Sequence, residues 1–167
     1  MMIPEHEYHL REAGNEDSEE IKNLVFRVLR EYGLEPDPDS TDSDLIQIHD
    51  SYQKRGGYFV VLEKGLKILG CAGIYFLNAS ECELRKMYLD PSIRGKGMGR
   101  FLLEQMLSKA INLGFSKMRL ETASKLKEAI SLYNRYGFKQ VSSEHISCRC
   151  DQVYVLDLKE NSQSIEF

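Results

Sequence analysis

The sequence contains no apolar run that approaches the ~20 residues needed to cross a bilayer. Its opening, MMIPEHEYHLRE, is polar and acidic and lacks the apolar centre of a secretory leader. Cations are in deficit: 22 Lys and Arg stand against 26 Asp and Glu, for a formal net charge of -4. Non-specific nucleic-acid binding depends on a broad field of Lys and Arg that displaces counterions, so no nucleic-acid partner is expected. Cysteine is sparse as well, with only Cys71, Cys82, Cys148 and Cys150. A chain of this length needs no disulfide framework, and Cys148-x-Cys150 has no second Cys/His pair to complete a metal site. These absences predict a soluble, cytoplasmic protein with free thiols, no metal and no membrane segment.

What is present is an ordinary globular composition. The 42% apolar fraction suits a packed core, and 167 residues suit one domain. No repeat, linker or shift in composition divides the chain. Residues 1–167 are therefore read as one unit, with its core at about 8–158 and a polar, frayed tail, ENSQSIEF.

Residues 7–13 suit a short first strand. Asp17, with Glu20 three residues on, forms a capping-box pattern ahead of Ile21, Leu24, Val25, Val28 and Leu29, which recur at helical spacing. Gly33, Pro36 and Pro38 end that helix. A weaker helix is expected over about 43–54, on Leu45, Ile48 and Tyr52. Residues 58–63, 66–77 and 82–89 form a three-stranded meander, in which Gly70 and Gly73 mark a bulge or close approach. A long helix follows from Met98, with Phe101, Leu102, Met106, Leu107, Ala110 and Ile111 on its apolar face. Next come a strand at 117–122 and a helix capped by Ser124 and faced by Leu126, Ala129, Ile130 and Tyr133. Strands at about 138–148 and 152–158 end the chain. An antiparallel meander joined to a strand–helix–strand crossover makes a mixed sheet. The expectation is an α+β architecture of six to seven strands flanked by four helices.

The most informative stretch is Arg94-Gly95-Lys96-Gly97-Met98-Gly99-Arg100, between the third meander strand and the long helix. Ordered glycines accept left-handed torsions and allow close approach of a ligand. The unpaired N–H groups and the dipole at a helix start favour a phosphate or pyrophosphate. Three cations sit here in an otherwise acidic chain. The stretch lacks the Lys-Ser/Thr of a Walker A loop, and it comes too late for a Rossmann fingerprint.

Arg94–Gly99 matches R/Q-x-x-G-x-G/A, and Leu132-Tyr133-Asn134-Arg135-Tyr136-Gly137-Phe138 matches Leu-Tyr-x-x-x-Gly-Phe. With Glu83–Pro91 in the place of a fourth strand, the chain resembles the GNAT superfamily of acetyl-CoA-dependent N-acetyltransferases from about Tyr8 to Leu158. The resemblance implies the GNAT acyl-CoA N-acyltransferase fold and acetyl-CoA as co-substrate. It assigns pyrophosphate binding to the backbone of Gly95, Lys96, Gly97, Met98, Gly99 and Arg100, with Arg94 opening the loop. It assigns the pantetheine arm to Met87, Tyr88 and Leu89, where a backbone N–H also faces the thioester oxygen. A preplaced donor of that kind contributes about 3–4 kcal/mol in comparable acyl transfers.

Two side chains are candidates for the chemistry. Tyr133 lies on an apolar helical stripe, so periodicity alone makes it core. The motif makes it the acid that protonates the departing thiolate, in keeping with a reference pKa of about 10. Glu83 is either the base that deprotonates the amine or a surface carboxylate paired with Arg85 or Lys86. A water relay is the third option. Alternation places Glu83, Arg85, Met87 and Leu89 on one strand face.

Many family members carry an Asn that bonds the coenzyme where this chain has Leu126, which leaves that contact absent or supplied by Ser124 or Lys125. His145, Cys148, Cys150 and Asp151 cluster beside the expected acceptor cleft, either shaping it or simply pairing strands. The acidic run Asp37, Asp39, Asp42 and Asp44 is expected as a solvated loop that could attract a cationic amine. The expected activity is transfer of an acetyl group to a small-molecule primary amine by direct attack in a ternary complex. The alternatives are a protein lysine or N-terminal acetyltransferase and, in another class, a non-catalytic acyl-CoA sensor. Many members of the family dimerise, so a homodimer stands among the expected partners.

Overall fold

The computed structural model describes residues 7–143 and 145–161. Strands β1 (His9–Glu12), β2 (Tyr58–Lys64), β3 (Lys67–Phe76), β4 (Glu81–Leu89), β5 (Lys117–Thr122), β6 (Lys139–Val141) and β7 (Gln152–Asp157) form one sheet, ordered β1-β2-β3-β4-β5-β7-β6. All neighbours are antiparallel except β4 and β5, so the sheet is mixed, as expected. The helices are α1 (Ser18–Glu31), α2 (Ile48–Ser51), α3 (Met98–Asn112), α4 (Lys127–Arg135) and α5 (Leu158–Asn161). Of the polar tail, residues 162–167 lie outside the described residues.

The sheet separates two apolar cores, because successive strand side chains point to opposite faces. Phe59, Val61 and Cys71 pack against Ile21, Leu24, Val25 and Val28 of α1. Val60, Ala72, Ile74 and Leu84 pack against Leu102, Leu103, Met106 and Leu107 of α3. Each fully buried Val, Leu, Ile, Phe or Met among them contributes roughly 1.5–3 kcal/mol.

Several local expectations are corrected. The capping box sits earlier than Asp17/Glu20: the Asp17 carboxylate accepts from the Gly14 N–H at 2.9 Å. Glu20 instead reaches across to the Ile68 N–H at 2.9 Å. The helix expected over 43–54 is broken into a turn at Ser43–Leu45, the single turn of α2, and a turn at Gln53–Arg55. The break is fixed from outside, because Ser18 Oγ and Asn15 Oδ1 accept from the N–H groups of Ile48 and His49. The strand expected over 138–148 shortens to β6. Gly73 marks a close approach, since a Cβ there would come within 2.6 Å of Tyr52 and 2.7 Å of Phe59.

The feature that builds the site is the pairing of β4 with β5. It covers only Glu81, Cys82 and Glu83, opposite Lys117, Met118 and Arg119. Beyond that point β5 stays paired with β7 through Thr122, while β4 stays with β3 through Leu89. The two central strands part, and the sheet opens.

Candidate active site

A cavity of about 740 Å³ fills the opening, a size that suits a large small-molecule ligand. Its walls are β4 from Glu83 to Leu89, β5 from Leu120 to Thr122, the glycine loop, α4, and the segment around Ser147, Arg149 and Cys150.

The loop begins where the Asp90 side chain accepts from the Ser92 N–H at 2.9 Å and pairs with Arg27 of α1 at 2.7 Å. Gly95 and Gly97 hold φ of +72° and +81°, torsions that favour glycine. Gly97 is the N-cap of α3, so the N–H groups that open the helix have no partner one turn earlier. At Gly99 a Cβ would meet Leu89 at 3.6 Å and Leu132 at 3.7 Å, which is ordinary contact. The protein's own packing therefore does not require glycine there.

The sequence expectation for this loop needs two refinements. Arg94 is not free to meet a phosphate. Its guanidinium donates to the Leu89 carbonyl at 3.1 and 2.9 Å and to the Glu31 carboxylate at 2.6 and 2.9 Å, which ties α1 to the end of β4. Arg100 pairs with Glu104 at 2.9 Å. Arg94, Gly95, Gly97, Gly99 and Arg100 line the cavity, whereas Lys96 and Met98 are not among its lining residues. The Met98 side chain is buried with Leu62, Leu69 and Ile93, which leaves its backbone as the part available to a ligand.

Met87, Tyr88 and Leu89 all line the cavity, but not as simple alternation predicts. The register slips between Cys71 and Gly73 of β3, which face Tyr88 and Arg85. One extra residue is thus accommodated in β4, and Lys86 takes φ +54°. Upstream, Glu83 and Arg85 face the α1 side of the sheet. Downstream, Met87 and Leu89 face the α3 side, and Tyr88 the α1 side. Glu83, Arg85, Met87 and Leu89 therefore do not share a face.

Tyr133 of α4 lies in the cavity wall, 6% exposed, with its ring 5.6 Å from that of Phe138. Burial, with a smaller push from Cys150, raises its phenol well above the usual range and keeps it protonated. Tyr133 packs into the core, as periodicity predicts, and also reaches the cavity. Ser124 does not cap α4. Its N–H and hydroxyl bind the Asp151 carboxylate at 2.8 and 2.7 Å, Leu126 takes the N-cap position, and neither Ser124 nor Lys125 lines the cavity.

Glu83 stands at the vertex of the opening, 5% exposed. It is not a surface carboxylate. It pairs with Arg85 on its own strand and, at 3.2 Å, with Arg119 on β5.

The acidic run is a solvated loop only at its start, where Asp39 is exposed and Asp37 half-buried. Asp42 and Asp44 are buried. Asp42 accepts from both arms of Arg149 at 2.7 and 2.6 Å, and Lys86 Nζ lies 3.2 Å from both Asp42 and Asp44. Burial raises the Asp42 carboxyl, but Arg149, the Asp37 N–H and Lys86 outweigh burial and hold it below the usual carboxylate range. Asp44 also accepts from the Tyr52 hydroxyl. Asp42 and Asp44 are thus compensated by cations and present no free negative charge to an amine. Of the expected cluster near the chain's end, Cys150 lines the cavity, while His145 and Cys148 are exposed.

Lys86, Arg149, Thr41 and Glu121 were missed from the sequence, although all four line the cavity. The available signal was the acidic run itself: several Asp in a short segment need cations if they are to be buried. Among the described residues, no group of three His, Cys, Asp or Glu side chains is arranged to hold a metal ion, and no helix is long and apolar enough to cross a membrane.

The profile of the Acetyltransferase (GNAT) family matches residues 22–138. An uncharacterized N-acetyltransferase of Escherichia coli K12, YjgM, is 35% identical over 149 residues, covering 83% of this chain and 89% of its own. An acetyltransferase of the GNAT family from Staphylococcus aureus Mu50 has the same fold, with a TM-score of 0.84 at 22% identity over 90% of this chain and 99% of its own. So does yncA from Salmonella typhimurium, solved with its cofactor acetyl-CoA, at a TM-score of 0.72 and 20% identity over 92% and 95% of the two chains.

Proposed function

The chain belongs to the GNAT family of N-acetyltransferases, and on that footing we propose that it transfers the acetyl group of acetyl-CoA to a small-molecule primary amine, by direct attack in a ternary complex. The observation that carries this proposal is the parting of β4 from β5, which leaves the β4 backbone after Glu83 without a strand partner on that side. Buried backbone polar groups must be satisfied, and an extended amide-bearing arm can satisfy these.

The residues present fit the cofactor. The backbone of Gly95–Arg100 can hold a pyrophosphate at the helix start. Gly99 lacks a side chain at a point where the protein's own packing would tolerate one, which is understandable if a ligand lies against it. Met87, Leu89, Ala129 and Leu132 supply an apolar channel between loop and vertex.

Acetyl-CoA brings an acyl group activated as a thioester and a thiol as leaving group. The protein holds and moves the protons. A primary ammonium has a pKa near ~10.4 and cannot attack until it loses a proton. Glu83, at the vertex, takes that proton directly or through a water. A backbone N–H of Met87–Leu89 stabilises the charge that develops on the thioester oxygen. The Tyr133 hydroxyl donates a proton to the departing sulfur, and its raised pKa keeps that proton available across neutral pH.

A small acceptor is favoured because the acceptor side is walled in. The segment carrying Thr41 and the one carrying Arg149 are clasped together by the Asp42–Arg149 pair.

The test is release of free thiol from acetyl-CoA, with panels of small amines and of lysine and N-terminal peptides. Turnover with small amines is expected. Faster turnover with peptides would favour a protein acetyltransferase, and tight acetyl-CoA binding with no thiol release would favour a sensor.

A further inference from the structure

The charged groups at the acceptor side are layered. Toward the chain's last loop and the bulge in β4, the acids lie behind the wall and the bases in front. Asp42 and Asp44 do not line the cavity, but their partners Lys86, Arg149 and Arg85 do. Toward β5 the order is reversed. Arg119 does not line the cavity, while its partners Glu83 and Glu121 do. Four cations and four carboxylates make the network neutral as a whole, yet Lys86 and Arg149 present positive charge at one end of the wall and Glu121 negative charge at the other, with the paired Arg85 and Glu83 meeting between them.

A neutral wall with that polarity discriminates between ligands of different charge. A polyamine brings positive charge against Lys86, Arg149 and Arg85. A simple monoamine satisfies only the acidic half. A molecule with an ammonium beside an anionic group satisfies both and adds no net charge to a half-buried site. Arg149 and Cys150 line the same cavity as Tyr88 and Tyr133, so the basic half adjoins the expected reaction centre.

We propose that the acceptor is an amino-acid-like zwitterion, its amine directed to Glu83 and Glu121 and its carboxylate to Arg149 and Arg85. This proposal rests on the acetyl-transfer function above and names the substrate class of that same site. Guanidinium groups suit the role because a planar fork matches a carboxylate: Arg149, whose two Nη groups hold Asp42, keeps its Nε edge, and Arg85, whose Nε bonds Glu83, keeps its Nη edge. The anion needed is the α-carboxylate, not a phosphate, since the basic half borders the point where the amine must attack.

The test titrates the protein saturated with CoA, by calorimetry, with the common amino acids and with their α-amides. Thiol release from acetyl-CoA is followed with the same compounds and with diamines. At least one amino acid should bind about ten- to hundredfold more tightly than its amide, the range of a charge-assisted hydrogen bond. Arg149→Lys, which keeps the charge and loses the fork, and Arg85→Gln should each move that ratio toward one. If no amino acid outperforms its amide, or if a diamine binds best, the proposal is overturned. Carboxylate-dependent binding without thiol release would retire the acetyl-transfer function and support the zwitterion site. Thiol release indifferent to the carboxylate would do the reverse. If a variant fails to fold, the acid-to-amide ratio of the unmodified protein decides alone.

Discussion

The two sides of the opening between β4 and β5 are built on different principles. On the α3 side, Met87, Leu89, Ala129, Leu132 and Tyr133 make an apolar channel that ends in bare backbone at the glycine loop. Its fit depends on shape, on missing side chains and on unpaired N–H groups. On the α1 side, Glu83, Arg85, Lys86, Glu121 and Arg149 make a wall of interlocked charge. Its fit depends on long-range pairing, because the Asp42–Arg149 contact joins residues 107 positions apart. The first side can change one side chain at a time. In the second, each charge is held by others, so a single change leaves a neighbour unpaired.

The difference can be probed from the largest expected effect to the smallest. Asp42→Asn should strand Arg149 in the interior and leave Lys86 with Asp44 as its one carboxylate. A loss of about 3–5 kcal/mol is expected, lowering Tm by on the order of 10 °C, read by thermal denaturation. Acetyl-CoA affinity of the folded protein should persist, and a loss of affinity equal to that of a loop variant would erase the distinction.

Gly97→Glu attacks the other side. It forces a side chain onto φ +81° and places a carboxylate at the anion site. Acetyl-CoA affinity should fall by about 100-fold or more, measured by calorimetry, while the acceptor wall stays intact. Unchanged affinity would remove the loop from cofactor binding.

Tyr133→Phe keeps the packing and deletes one proton. It should lower kcat by about 100-fold, within the range for a general acid, with little change in KM for acetyl-CoA. A normal kcat would return Tyr133 to a purely packing role.

The charged wall should also set the acid limit of stability. The folded-state pKa of Asp42 is depressed. Its contribution is therefore fully present above the unfolded value of about 3.9 and is lost as pH falls through the lower folded value. Denaturation midpoints should be flat through neutral pH and decline below about pH 4, and Asp42→Asn should flatten that decline.

Gly99→Ala is the mildest probe. Its Cβ has room against Leu89 and Leu132, so stability should stay level or rise by up to about 1 kcal/mol, while acetyl-CoA binding weakens. An unaltered affinity would mean that no ligand approaches Gly99.

The same division explains what could be read from the sequence. The loop and the tyrosine motif were legible because glycine torsions and helix starts are local properties, fixed within Arg94–Arg100 and Leu132–Phe138. The mixed sheet followed from element order. The charged wall was not legible. Its assembly depends on a one-residue bulge at Lys86 that no residue preference announces, on α2 being capped by Ser18 and Asn15 some thirty positions earlier, and on the Asp42–Arg149 clasp. Asp42 and Asp44 therefore read as solvent-facing, and Arg94 as a phosphate cation, when each is engaged inside the protein.

The bulge at Lys86 has a genetic consequence. It acts on β4 as a shift of reading frame acts on a message: before it, odd-numbered positions face α1, and after it they face α3. A single-residue deletion elsewhere in the strand, with the bulge kept, would exchange the faces of every residue on one side of the cut. The cofactor channel would then receive charge and the acceptor wall would receive Met87 or Leu89. Such a deletion should be less tolerated in β4 than any single substitution, and related chains should vary the residues around the bulge far more readily than the number of residues between Glu83 and Asp90.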